Sequence, residues 1–242
     1  MDGRFARTAL ILGEEGLQRL ASCRVIVFGI GGVGGYAVEA LARSGIGAID
    51  LVDNDTVSLS NLNRQIIALE STIGQYKTDV AMRRILDINP DCKVTAHRMF
   101  YTPETADTID LKQYDYVVDC IDTVTAKLEL ITRCKTAGVP VISCMGTGNK
   151  LDPSKLQVSD ISKTSVCPLA RVMRTELRRR GISHVRCVFS TEQSCGSVVP
   201  SGTDGAEKGR HAPGSTAFVP GTAGLLIASA VVRDLCGIGQ DS

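Results

Sequence analysis

Tryptophan is missing from the 242 residues, and only 4% of them are aromatic. That argues against a platform of rings stacked on single-stranded bases. Net charge is almost missing too: 27 Lys+Arg face 26 Asp+Glu, leaving +1. Nucleic-acid binding by global basicity is therefore excluded, although a local basic patch is not. The nine cysteines include no C-x-x-C pair, so neither a zinc ribbon nor a thioredoxin-type motif is supported. Several, such as Cys120 and Cys144, sit inside apolar runs, as reduced buried thiols do. A reducing cytoplasm is the expected compartment. Residues Met1 to Arg7 contain no apolar signal core. The longest charge-poor stretch, Ala212 to Val232, is broken by Pro213, Gly214, Pro220, Gly221 and Gly224. Its apolar part reads as too short to cross a bilayer, so no membrane association is expected.

What remains is an ordinary globular composition, 43% hydrophobic and 22% charged, at a length that suits one large α/β domain. Residues 5–21 read as one or two short helices. The apolar runs Arg24–Phe28, Ala48–Val52, Tyr116–Ile121 and Val139–Cys144 read as buried parallel strands, with Lys93–Met99 as a fifth, alternating one. Helices are expected over about 35–44, 76–88 and from Thr123 or Thr125 to just before Gly138. The order predicts a doubly wound, mainly parallel, Rossmann-like sheet. A nucleotide-binding core over 1–150 would carry a C-terminal extension over 151–242. In the extension, Leu156–Ile161 and His184–Phe189 read as strands, 168–180 and Thr222–Leu235 as helices, and 192–216 as a mobile loop.

Gly29-Ile30-Gly31-Gly32-Val33-Gly34-Gly35 lies between the first strand and its helix. Glycines there let the backbone turn tightly and approach a phosphate, and the helix N-terminus offers N–H groups to the anion. Asp53 closes the second strand, where a carboxylate can accept hydrogen bonds from ribose hydroxyls. This loop alone does not separate NAD from ATP. The next segment does: Asp53-Asn54-Asp55 leads to Asn61-Leu62-Asn63-Arg64-Gln65 and then Gly74-Gln75-Tyr76-Lys77. Hydride transfer has no use for a cationic pair at this place. Displacement of pyrophosphate does, because fixed Arg and Lys stabilise the charge that grows on the leaving phosphates. The plainer reading of Arg64 and Lys77 is a solvated pair on a loop and a helix start.

Taken together, Gly-x-Gly-Gly-x-Gly, Leu-Val-Asp-x-Asp, Ser-Asn-Leu-Asn-Arg-Gln and Gly-Gln-x-Lys resemble the ubiquitin-activating-enzyme-like adenylyltransferases over about residues 4–150. The resemblance implies ATP and Mg2+ as cofactors. It implies nucleotide contacts from Gly29, Gly31, Gly32, Gly34, Asp53, Asp55, Asn61, Arg64, Gln65 and Lys77, with Gly32 nearest the nucleotide. Arg64, Lys77, Asp122 and Arg7 would be catalytic. Asp122 would lie at the magnesium ion, and Arg7 would reach the nucleotide of the partner in a homodimer.

Relatives that activate sulfur-carrier proteins usually carry two C-x-x-C pairs and read Asp-Asn where this chain has Asp122-Thr123. The second half is instead similar to a branch that dehydrates threonylcarbamoyladenosine beside the anticodon of tRNA. Gly148–Pro153, Asp160–Thr164, Cys167–Ala170 and Cys187–Glu192 carry that likeness. It implies adenylation of the substrate carboxylate, then ring closure with loss of AMP. It also places Asp160, Lys163 and Thr164 toward the substrate. Activation of a sulfur-carrier protein is the alternative, and a non-catalytic partner in a sulfur relay stays open. Sulfur-relay proteins are possible partners, and a monovalent cation near 146–165 is left open. Arg171, Arg174 and Arg178 share a helical face and are the candidate tRNA contacts; a solvated face is the plainer reading. No cysteine is needed by this chemistry, although Cys167 and Cys195 are placed where a reactive thiol is conceivable. His97, His184 and His211 belong to no recognisable motif.

Overall fold

In a computed structural model, residues 3–196 and 213–238 are described. Among these residues seven strands form one sheet in the order β3-β2-β1-β4-β5-β7-β6. These are β1 (Arg24–Phe28), β2 (Ala48–Val52), β3 (Lys93–His97), β4 (Tyr116–Asp119), β5 (Val141–Cys144), β6 (Leu156–Asp160) and β7 (Arg186–Ser190). All pairs are parallel except β6 on β7. The doubly wound α/β arrangement expected from the sequence is therefore present. The extension joins the same sheet, because β7 pairs with β5.

Among the described residues six α-helices accompany the sheet: α1 (Ala6–Ser22), α2 (Gly34–Arg43), α3 (Lys77–Ile88), α4 (Val124–Ala137), α5 (Pro168–Arg179) and α6 (Phe218–Leu235). Helix α1 is two helical pieces joined at Gly13, whose φ of 71° and ψ of 168° interrupt it. Its apolar Leu17 and Leu20 are buried while Leu10 and Ile11 are exposed. Helix α4 starts after Thr123, which makes no side-chain capping bond, and stops at Gly138 in the left-handed conformation.

The central strands are buried on both faces, which explains their unbroken apolar runs. On one face Val25, Val27, Leu51 and Val118 pack with α2, α3 and α6. On the other, Ile26, Phe28 and Val117 pack with α4 and α5. Edge strand β3 is only half covered, in keeping with its alternation.

Helix α6 departs from expectation. It begins at Phe218 and not Thr222, because Pro220 falls in its first turn, where no intrahelical N–H bond is lost. Its 18 residues are long and apolar enough to cross a membrane by length and composition, contrary to the sequence reading. Val219, Ala223, Ile227 and Val231 are instead buried in the core. Gly224 lets α6 lie directly on α2: a Cβ there would stand 2.3 Å from the Val33 carbonyl oxygen. Most of the expected 192–216 loop, and His211, lies outside the described residues.

Candidate active site

The chain order reverses between β1 and β4, and a cleft of about 570 Å³ opens over the carboxyl ends of these strands. Crevices at such reversals are where open α/β sheets bind ligands. The glycine loop forms one wall. Gly29 has a φ of +85°, and a Cβ there would be 2.7 Å from the Cys120 carbonyl oxygen. At Gly34 a Cβ would fall 1.8 Å from the Gly29 oxygen, so the loop closes on itself only with glycine. Gly34 is thus a packing residue behind the loop, while Gly29, Gly31 and Gly32 line the cleft.

Asp53 ties this loop to the end of β2. Its Oδ2 accepts the Ile30 N–H at 2.6 Å and its Oδ1 the Asp55 N–H at 2.8 Å. Burial pushes its carboxyl above the ordinary value, against the opposing pull of Lys77 and these N–H groups. Asn61 and Gln65 are buried in the following turn and line the cleft. Asn61 Oδ1 accepts the Ser58 N–H at 3.1 Å, which fixes the turn. Gln65 Oε1 is buried and has no hydrogen-bond partner among the described residues, which leaves an acceptor at the cleft wall.

The two expected phosphate cations differ. Arg64 lines the cleft and donates through Nη1 to Ser60 O and Asn63 Oδ1; among the described residues no carboxylate pairs with it. Lys77 Nζ instead sits 2.6 Å from Asp55 Oδ2, with its side chain 7% exposed.

Asp122 is exposed on the loop after β4 and lines the same cleft. The loop is held from beneath by Asp119, whose Oδ1 accepts the Ile121 N–H at 3.1 Å. Lys127 Nζ bridges Asp119 Oδ2 at 2.9 Å and the Ile121 carbonyl at 3.0 Å. Ser143 Oγ donates to Asp119 Oδ2 at 2.5 Å. Among the described residues no group of three or more His, Cys, Asp or Glu side chains could hold a metal ion. A lone exposed carboxylate fits Mg2+, which keeps several waters and is bound largely through substrate phosphates. A cation near 146–165 would have to rest on main-chain oxygens and isolated side chains.

Some expected residues fall elsewhere. Arg7 is exposed at the start of α1 and does not line the cleft. Arg171 and Arg178 are exposed, but Arg174 is half-buried and its Nη1 donates to Thr164 O and Oγ1, both at 2.7 Å. The three arginines therefore do not form one free face. Asp160, Lys163 and Thr164 do not line the cleft either. Asp160 accepts from the Ser162 N–H at 2.8 Å, a local turn.

The remaining cleft lining was not read from the sequence. Met99, Phe100 and Tyr101 follow β3, and Met145 to Gly148 follow β5. Their signal is positional: both segments leave carboxyl ends of strands near the reversal, which is known only once strand order is known. Cys120 and Cys144 also line the cleft, and burial raises both thiols, Cys144 to about 12. Thiols kept protonated in this way are poor nucleophiles. Beyond the cleft, two of the second-half motifs meet. Glu192 accepts the Leu151 N–H at 2.8 Å and the Asp152 N–H at 3.0 Å, and buried Lys150 donates to the Glu192 carbonyl at 2.6 Å.

A glycine loop, a strand-end carboxylate and paired cations around one crevice define a nucleotide-binding protein of the adenylating type. The chain belongs to the ThiF family, which matches residues 5–242. It is 46% identical to the tRNA threonylcarbamoyladenosine dehydratase of Bacillus subtilis, over 96% of this chain and 94% of that protein. Two solved structures of the Escherichia coli tRNA N6-threonylcarbamoyladenosine dehydratase, TcdA, are also similar. The AMP complex has a TM-score of 0.86 at 39% identity, and the ATP complex 0.84 at 38%. Each covers 97% of this chain and 94% of the solved one.

Proposed function

We propose that this protein dehydrates threonylcarbamoyladenosine in tRNA, using ATP to adenylate the side chain's carboxylate. The observation that carries the reading is the convergence of Gly31, Gly32, Asp53, Asn61, Arg64, Gln65, Lys77 and Asp122 on one cleft. The 46% identity to the Bacillus subtilis dehydratase over nearly the whole chain supports the choice of substrate.

In this reading Asp53 accepts from the ribose hydroxyls, and the glycine loop lets the phosphates approach the start of α2. A carboxylate oxygen of the substrate attacks the α-phosphorus. The bond from that phosphorus to the bridging oxygen breaks, and its electron pair leaves with pyrophosphate. Arg64 and Lys77 stabilise the charge that develops there. Asp122 would hold Mg2+, which would supply further neutralisation of phosphate charge. The threonylcarbamoyl group's own nitrogen or oxygen then closes on the activated carbonyl and AMP leaves. Ring closure is intramolecular, so positioning replaces a covalent nucleophile.

The protein acts as a homodimer in the cytoplasm, with Arg7 completing the partner's site. Arg7 stands on the same exposed helical turns as Leu10 and Ile11, which are 87% and 84% exposed. A pair of large apolar side chains so exposed suits a protein contact.

Nucleoside mass spectrometry under mild conditions tests the reading. Incubation with ATP, magnesium and tRNA bearing threonylcarbamoyladenosine is expected to remove one water from that nucleoside, and Lys77→Ala to abolish the loss. No loss of water, with ATP–pyrophosphate exchange appearing only with a carrier protein's C-terminal peptide, would move the assignment to sulfur-carrier activation.

A further inference from the structure

We propose that Asp55 is a built-in counter-charge to Lys77 that limits how tightly the site holds pyrophosphate; this rests on the adenylating function proposed above. Lys77 and Asp55 both line the cleft. The Lys77 side chain is 7% exposed and Asp55 57%. The ammonium is thus largely cut off from water and takes the carboxylate as its partner at 2.6 Å. The contact is fixed by the backbone as well, because the Lys77 N–H donates to the Asp55 carbonyl at 3.0 Å. Asp55 in turn hangs on Asp53 through its own N–H. One short turn therefore presents the ribose-side carboxylate and the carboxylate that neutralises Lys77.

Phosphate oxygens reaching Lys77 must share it with Asp55 and meet a negative charge beside it. That opposition is not constant along the reaction. When the substrate oxygen bonds to the α-phosphorus, the departing bridging oxygen keeps the electron pair of the broken bond. Pyrophosphate then carries one more negative charge than the same atoms carried in ATP. Repulsion from Asp55 therefore rises at the moment when release is needed. Arg64, with no carboxylate partner among the described residues, provides the grip that Asp55 does not offset. Asp55 is thus a positioning residue for Lys77 that also weakens product retention.

The test uses Asp55→Asn in the full chain. The amide oxygen can still accept from Lys77, so the change removes charge and keeps the shape. Calorimetric titration with inorganic pyrophosphate is expected to show affinity raised about tenfold, with a smaller gain for ATP. In steady state, kcat and the KM for ATP are both expected to fall, and pyrophosphate to become a stronger inhibitor. Weaker binding of both ligands would mean that Asp55 only supports the turn, and would overturn the proposal. So would unchanged pyrophosphate affinity, or a loss seen only with magnesium, which would make Asp55 a metal ligand. Asp55→Ser, which also removes the charge, is expected to raise pyrophosphate affinity in the same direction; a fall in that variant counts against the proposal. Wild-type protein that binds neither ATP nor pyrophosphate would defeat the nucleotide reading itself, and the proposal with it.

Discussion

Lys127 and Asp119 form an ion pair at 2.9 Å with neither side chain exposed at all. Charges so deep persist only when every remaining polar atom is also occupied. Here Ser143, the Ile121 N–H and the Ile121 carbonyl do that, and the last two belong to the turn that presents Asp122. The pair fixes the loop at the expense of two desolvated charges.

Removal of one partner is therefore expected to be severe. Lys127→Met leaves a buried carboxylate without its cation, and a loss of about 3–5 kcal/mol is expected in urea unfolding. Asp119→Leu combined with Lys127→Met is expected to lose much less than the two single variants added together. Simple additivity would mean that the two residues act independently.

Arg174 and Arg178 differ in kind despite their regular spacing. Arg174 ties α5 to the 161–164 turn through Thr164, so Arg174→Ala is expected to cost about 1–2 kcal/mol of stability. Arg178 is exposed. Under the proposed function, Arg178→Ala is expected to leave stability unchanged, weaken tRNA binding and lower the salt slope by roughly one. Equal effects of the two variants on tRNA binding, with no stability difference, would restore the single basic face.

Acid stability is set by carboxylates of opposite sense. Burial raises Glu39, but hydrogen bonds from Arg84 and Arg43 outweigh it and hold the carboxyl below its ordinary value. Asp50 behaves alike, its burial outweighed by His97, Arg24 and Tyr114. A lowered carboxylate contributes stability above its unfolded pKa and loses it as the pH falls through the folded one. Asp53 is raised, so it opposes folding at neutral pH and is relieved by protonation. Asp160, its burial outweighed by hydrogen bonds from Ser162, and Glu176, bonded by Arg180, are lowered too, so the lowered carboxylates outnumber the raised Asp53 and stability is expected to fall below about pH 4. Asp53→Asn is expected to steepen that fall relative to wild type, because the relief disappears. Unfolding midpoints from pH 3 to 7 would check both expectations, and a shallower fall in Asp53→Asn would contradict the second.

The parallel strands were legible because burial on both faces leaves no polar positions to blur them; β1 and β2 match their expected bounds. The glycine loop and Asp53 could be named from their places after β1 and at the end of β2, whereas Gln65 and Asp122 were named through the family resemblance; all of them line the cleft. Contacts that join distant segments were not legible. Nothing in the sequence pairs Lys77 with Asp55, or turns Arg174 inward to Thr164, since both depend on how a turn folds back onto a helix. The wall formed by Phe100 and Tyr101 was hidden for the same reason: strand order, not local pattern, brings it to the cleft. The start of α6 was masked by Pro220, which reads as a breaker unless its place in the first turn is known.

Gly224 has a consequence for the order of events during synthesis. The turn that opens α2, at the phosphate end of the cleft, is braced by a helix translated near the other end of the chain. Ribosomes add on the order of ten residues per second, so the glycine loop emerges tens of seconds before α6 can lie on it. Until then the nascent sheet exposes the apolar strip that Val219, Ala223, Ile227 and Val231 later cover. A chaperone that shields such strips would find its longest opportunity there, and a ribosome stalled before residue 218 would hold a chain with the nucleotide loop in place but unbraced.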